Sequence, residues 1–167
     1  MEKKRFIQII GSDGAGKSTI ARSLQNVLGY EVKHFGPVKS YKEGRDEYFH
    51  FVRDLDTNII TDRFFEGEVI YAPIYRGYRA DYIPVLEMFM NKFFNPLLIL
   101  CDPGYDVIVE RLNERGEDFV KPEHYKQCYD GLQRVYDNSF LPKMIIDTSE
   151  PVQKNVEKIM KQLFING

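Results

Sequence analysis

Gly11, Gly14, Gly16, Lys17 and Ser18 stand in the string GSDGAGKS at positions 11–18. An apolar run with strand character, FIQII at 6–10, leads into it, and a run of helical character, STIARSLQNVL at 18–28, leaves it. Glycines let such a loop turn with positive φ, so that successive backbone N–H groups and a helix N-terminus converge on phosphate oxygens. An ammonium at Lys17 then reaches the β- and γ-phosphates of a triphosphate, and the Ser18 hydroxyl serves Mg²⁺. A glycine-rich loop can match this pattern by chance, but a strand before and a helix after select the phosphate reading. The expected donor site for ATP and Mg²⁺ comprises Gly11, Ser12, Asp13, Gly14, Ala15, Gly16, Lys17, Ser18 and Thr19.

A second pair with chemistry is Asp62-Arg63, at the end of the apolar run NIITD. A carboxylate there organises Mg²⁺ and an acceptor oxygen, while a guanidinium fork grips an acceptor's own phosphate. The competing reading is a solvated ion pair in a turn. A third cluster is RLNERGEDFVK at 111–121, with Arg111 and Arg115 on one helical face before Gly116. Such a loop can close over a triphosphate, exclude water and bring a cation to the transferring phosphoryl group. Its plain alternative is a helix end with cations favoured by the helix dipole.

These residues need a scaffold, and the hydrophobic pattern supplies one. Apolar runs at 6–10, 30–35, 58–62, 96–102 and 144–148 read as strands, and segments at 18–28, about 43–55, 82–95, 105–115, 123–138 and 152–164 read as helices. Strands alternating with long crossovers imply right-handed βαβ units. The expected fold is α/β: a five-stranded parallel sheet with helices on both faces, in three layers. Ligands in such sheets bind beyond the strand carboxyl ends, where the glycine loop, Asp62-Arg63 and Asp102 would lie. Asp102 either helps hold Mg²⁺ or caps the next helix.

The 167 residues suit one domain, 1–167. A net charge of −2 gives no overall cationic field for a long nucleic acid. Cys101 and Cys128 lack metal-ligand spacing. MEKKRFIQII reads as neither a signal nor a transit peptide, and no apolar stretch approaches a membrane span, so a cytoplasmic location and no membrane partner are expected. Among phosphate-loop classes, a guanine-reading switch carries Asn-Lys-x-Asp, whereas Asn91-Lys92 precedes Phe93-Phe94. An ATPase sets a Glu beside its strand-end acid, whereas Asp62 precedes Arg63. A small-molecule kinase remains.

These motifs resemble the thymidylate kinase family of nucleoside-monophosphate kinases, over most of the chain from residue 6 to about 136 and most densely at the loop and at 62–77. The loop GSDGAGKST is similar to the family's Gly-x-Asp-x-x-Gly-Lys-Ser/Thr-Thr form, whose acidic residue, here Asp13, touches the acceptor's 3′-hydroxyl. In DRFFEGEVIYAPIYRG, Tyr71 occupies the place of an aromatic that crowds the 2′ position and selects deoxyribose, and Arg76-Gly77 matches an Arg-Gly of some members. Phe49 and Arg53 have the spacing of a pair that stacks on thymine and bonds its O4, although Asp62 follows Arg53 by nine positions, fewer than usual. Family members with Gly at the position of Gly14 take their extra cation from the lid, which makes Arg115 the candidate, with Arg111 and Lys121 as alternates. HFGP at 34–37 departs from the family's Glu-Pro-Gly segment, and Ala72 stands where a base-contacting polar residue often sits.

The resemblance implies transfer of the γ-phosphoryl of ATP to a deoxynucleoside monophosphate, dTMP or a 5-substituted dUMP. It places the acceptor region at about 36–56 and 62–82 and a lid at about 115–122. Short kinases of this kind resemble phage-encoded ones, which would place the protein in host cytoplasm, and the family often forms homodimers. Three rivals share the donor loop. One is a kinase for 5-hydroxymethyluracil in DNA, with DNA as partner; another is a nucleoside kinase. The third is a non-catalytic ATP sensor signalling through Tyr71, Tyr75, Tyr78 and Tyr82.

Overall fold

The structure is a computed structural model that describes residues 1–116 and 120–165. Five strands, β1 (Lys4–Ile10), β2 (Glu31–His34), β3 (Ile59–Asp62), β4 (Phe94–Cys101) and β5 (Lys143–Ile146), form one sheet in the order β2-β3-β1-β4-β5. Every pairing is parallel. Phe6, Ile7, Ile9 and Ile10 of the central β1 are fully buried, the near-continuous apolar run that a strand covered on both faces requires. The helices that cover it are α1 (Lys17–Leu28), α2 (Tyr41–Asp54), α3 (Glu66–Tyr71), α4 (Ile83–Phe93), α5 (Tyr105–Arg115), α6 (Tyr125–Asn138) and α7 (Val152–Ile165). α1 packs on α7, while α2 packs on α4 and α3 on α6.

Register decides what meets at the carboxyl edge. Ile9 of β1 pairs with Asp62 of β3, and Asp62 pairs in turn with His34 of β2. The glycine loop leaves β1 beside both. α2 is started by Ser40, whose Oγ accepts from the Glu43 N–H at 3.2 Å while the Glu43 carboxylate accepts from the Lys39 N–H at 2.9 Å.

Three elements differ from the sequence expectation. The helix expected over 82–95 stops at Phe93, because Phe94 and Asn95 already pair with Lys4 and Arg5 as strand. The strand expected over 144–148 ends at Ile146, and the next residues turn through Asp147, whose carboxylate accepts from the Ser149 N–H. Between Asp62 and Tyr82 the sequence reading assigned no helix, yet α3 and a π-helical turn, Ala72–Arg76, occupy it. Gly67, Pro73, Gly77 and the β-branched and aromatic residues there mask a helix that packing against α6 stabilises. The apolar stripe of α6 is core, with Tyr125, Cys128 and Leu132 buried, whereas α4 leaves Val85, Met88, Phe89 and Phe93 exposed. Burial raises the thiols, Cys101 to about 12 and Cys128 to about 11. No helix among the described residues is long and apolar enough to cross a membrane.

Candidate active site

The glycine loop is shaped by close packing. A Cβ at Gly11 would lie 2.9 Å from the Cys101 carbonyl oxygen, so the loop touches β4 backbone to backbone. Gly16 adopts φ 84 as it opens α1, in the left-handed region that glycine tolerates. Opposite, Thr148 donates to the Ala15 carbonyl at 2.5 Å, and Arg111 donates to the carbonyls of Gly14 at 2.9 Å and Thr148 at 3.1 Å. The segment after β5 and helix α5 thus clamp the loop together. Beside it opens a cavity of about 410 Å³, whose walls include Asp13, Lys17, Ser18, Thr19, Arg63, Arg111 and Arg115. Lys17 is buried and donates to the Ser12 carbonyl at 3.0 Å. Burial lowers its pKa, partly offset by Asp13, so an incoming anion would restore a partner to a desolvated ammonium.

Ser18 Oγ donates to Asp62 Oδ2 at 2.7 Å, and Asp62 is buried with Oδ1 lacking a hydrogen-bond partner among the described residues. A hydroxyl and a part-satisfied carboxylate are hard oxygen donors and fit Mg²⁺. Among the described residues no cluster of three His, Cys, Asp or Glu could hold a metal unaided.

Arg63 carries the backbone feature that organises the rest. Its φ of 68 is left-handed, the one such non-glycine residue among those described. The turn is fixed by Glu66, a buried carboxylate accepting from the Phe64 N–H at 2.9 and 3.1 Å and from Gln8 Nε2 at 3.1 Å. Burial raises the Glu66 pKa despite these bonds. So aimed, the Arg63 guanidinium pairs with Asp13 of the glycine loop. It lines the cavity beside the glycine loop and also a second, smaller cavity of about 60 Å³.

That smaller cavity lies between Phe35, Gly36 and Pro37 on one side and Tyr48, Gly67, Glu68, Tyr71 and Arg76 on the other. Tyr71 and Arg76 therefore sit where a molecule beyond Arg63 would lie. Burial pushes the Tyr71 phenol well above its ordinary value and keeps it neutral. Glu68 is buried, accepts from Arg76 and Tyr78, and is raised by its burial. The sequence singles out Tyr71 and Arg76, while Glu66, Glu68, His34 and Thr148, which also line or brace this region, carry no local motif. An acid six positions past Asp62 in an aromatic segment was the available signal for Glu68. Nothing local marked Thr148.

Phe49 and Arg53 are not brought to this site, and their expected contact with a base is withdrawn. α2 runs from the carboxyl edge back toward the amino edge, so Arg53, twelve residues beyond Tyr41, lies about 18 Å further along the helix. Both side chains line a depression with Met1, Lys3 and Phe93, at the opposite end of the sheet. Arg53 is spent on its neighbour Asp54, and Phe49 packs on Tyr82 and Phe89.

Arg115, at the end of α5, is exposed, lines the cavity beside the glycine loop and pairs with no described residue. Arg111 is half-buried and held by the two carbonyls, which makes it a brace more than a mobile cation. Lys121 is exposed and away from the cavity lining. The centre of the expected lid, 117–119, lies outside the described residues. Asp102 accepts from the Gly104 N–H at 2.9 Å, from Tyr129 at 3.0 and 3.1 Å and from Gln133 at 3.1 Å, so it fixes the turn ahead of α5 and ties it to α6.

No protein-family profile matches the sequence, and no characterised protein matches it by sequence. Solved structures do resemble the fold. The YorR protein of Bacillus subtilis, in complex with phosphorylated GDP, aligns with a TM-score of 0.81 at 21% identity over 96% of each chain. Deoxyadenosine kinase of M. mycoides, with dCMP and dCDP bound, aligns at 0.67 and 21% identity, over 97% of this chain and 100% of that one. Polyphosphate kinase 2 of Arthrobacter aurescens aligns at 0.71 and 14% identity, over 99% and 68%. The architecture is that of P-loop kinases, and identities this low establish the fold alone.

Proposed function

We propose that this protein is an ATP-dependent kinase that transfers the γ-phosphoryl group to a deoxynucleoside monophosphate, with dTMP or a 5-substituted dUMP as the preferred acceptor. The observation that carries the reading is Arg63, which faces both the triphosphate cavity and the small cavity beside Tyr71. One guanidinium between two anion sites suits an acceptor that brings a phosphate of its own. An oxygen of that phosphate attacks the γ-phosphorus in line as ADP leaves. Lys17 and the loop N–H groups hold the donor, Ser18 and Asp62 would hold Mg²⁺, and Arg115 brings a cation to the transferring group. Mg²⁺, when bound, neutralises charge on the β- and γ-phosphates. In this reading Asp13 and Tyr71 would contact the sugar, and Arg76, paired with Glu68, would lie toward the base. Positioning and charge neutralisation supply most of the rate in such a reaction.

The test is ADP release with ATP and a panel of monophosphates: dTMP, dUMP, 5-hydroxymethyl-dUMP, dCMP, dAMP and dGMP. Turnover with at least one pyrimidine monophosphate is expected. Background rates across the whole panel refute the monophosphate reading.

A nucleoside kinase is the second reading, favoured by one observation: Arg63 is already paired with Asp13 and so carries less free charge for a phosphate. The nucleoside reading predicts turnover with deoxynucleosides and an acceptor affinity that survives Arg63→Ala.

A further inference from the structure

Sheet register sets His34 of β2 directly beside Asp62 of β3. The His34 Nδ1 atom lies 3.6 Å from Asp62 Oδ2, the oxygen that also accepts from Ser18 Oγ at 2.7 Å. At 3.6 Å the imidazole is beyond hydrogen-bond range, so the carboxylate does not consume its nitrogen. The ring is half exposed and faces the donor cavity with Lys17, Ser18 and Arg63. Asp62 Oδ1 is buried and has no hydrogen-bond partner among the described residues, so this carboxylate keeps acceptor capacity for a further ligand. Two donors about 2.1 Å from one ion stand roughly 3.0 to 3.5 Å apart at right-angle to tetrahedral geometry. The observed His34–Asp62 separation is near that span.

We propose that His34 is a third protein ligand, with Ser18 and Asp62, to the divalent metal that accompanies the triphosphate, so that the site favours Mn²⁺ or Co²⁺ over Mg²⁺. Hydroxyl and carboxylate oxygens alone suit Mg²⁺, whereas an imidazole nitrogen binds later first-row cations more tightly. The inference rests on the metal role given to Ser18 and Asp62 above. It assigns to the segment at 34–37 a chemistry that an acidic residue there would not have.

The experiment uses the full chain with Mn²⁺ and a non-hydrolysable ATP analogue. Pulsed electron paramagnetic resonance on protein with ¹⁵N-labelled histidine separates histidine nitrogen from adenine nitrogen. The chain has three histidines, His34, His50 and His124, so the ¹⁵N modulation should vanish in His34→Ala and persist in His50→Ala and His124→Ala. Calorimetry should show His34→Ala weakening Mn²⁺ by at least about tenfold and Mg²⁺ far less, with His34→Glu shifting preference back to Mg²⁺. Unchanged melting temperatures would confirm that the exposed position tolerates these replacements. If Mn²⁺ binds His34→Ala as tightly as wild type and no histidine nitrogen couples, the ligand role is overturned while the metal site stands. If Asp62→Ala also leaves Mn²⁺ affinity unchanged, the metal reading itself fails, and this inference with it.

Discussion

Replacing Arg63 by glycine and by alanine separates a backbone cost from a binding role at one position. At φ 68 a residue with a Cβ sits about 1 to 2 kcal/mol above its ordinary conformations. Both variants lose the same guanidinium and leave Asp13 without the same partner, so those terms cancel between them. Glycine escapes the left-handed penalty but gives up about 0.5 to 1 kcal/mol in unfolded-state entropy relative to alanine. Arg63→Gly should therefore be the more stable variant, by about 0.75 kcal/mol at the middle of these ranges. For 167 residues that difference amounts to about 1.5 to 3 °C in Tm, within reach of scanning calorimetry. Catalysis should not follow stability. Loss of charge-assisted hydrogen bonds to the acceptor phosphate, about 1.5 to 3 kcal/mol, raises the acceptor KM about 10- to 150-fold in both. An Arg63→Ala protein at least as stable as Arg63→Gly would refute the strain argument. A wild-type KM for monophosphates in both would refute the phosphate-gripping role.

Arg115 and Arg111 should part company: Arg115→Ala is expected to cut kcat by about 10³ or more with an unchanged melting curve. Arg111→Ala, by freeing the carbonyls of Gly14 and Thr148, should cost about 1.5 to 3 kcal/mol in urea unfolding; equal stability in the two variants would contradict the brace. Tyr71→Ala should narrow the preference for deoxy- over ribonucleoside monophosphates, read as the ratio of kcat/KM for matched pairs. Unchanged discrimination would remove Tyr71 from the sugar site. Burial lowers the folded pKa of Lys17 below 10.5. As pH rises from that lowered value to 10.5, the unfolded chain keeps a proton that the folded chain has released, so stability rises with pH. Lys17→Met lacks this contribution and should lack transfer as well. Urea midpoints for both proteins across this range check it, and a pH-independent difference between them would count against a desolvated lysine.

Local chemistry was legible in the residues themselves. Binding a phosphate chain needs contiguous backbone N–H groups, so GSDGAGKS with its flanking strand and helix reads as a phosphate loop without tertiary knowledge. The strand runs likewise showed through, because a sheet covered on both faces demands unbroken apolar segments. Asp62 and Arg63 were found because a strand end is a local feature. What remained hidden depends on which elements become neighbours. Phe49 and Arg53 share a helical face, but periodicity says nothing of which end of the sheet a face reaches; α2's direction carries them away. His34 meets Asp62 only through β2–β3 register, and Thr148 meets Ala15 across 133 residues. Glu66 and Glu68 read as surface acids in an aromatic stretch, until folding buries one to hold Arg63 in a left-handed turn and the other to hold Arg76. Spacing along the chain marks the glycine loop, whereas the small cavity beside Tyr71 exists only because packing places α3, the π-helical turn and the segment after β2 around Arg63.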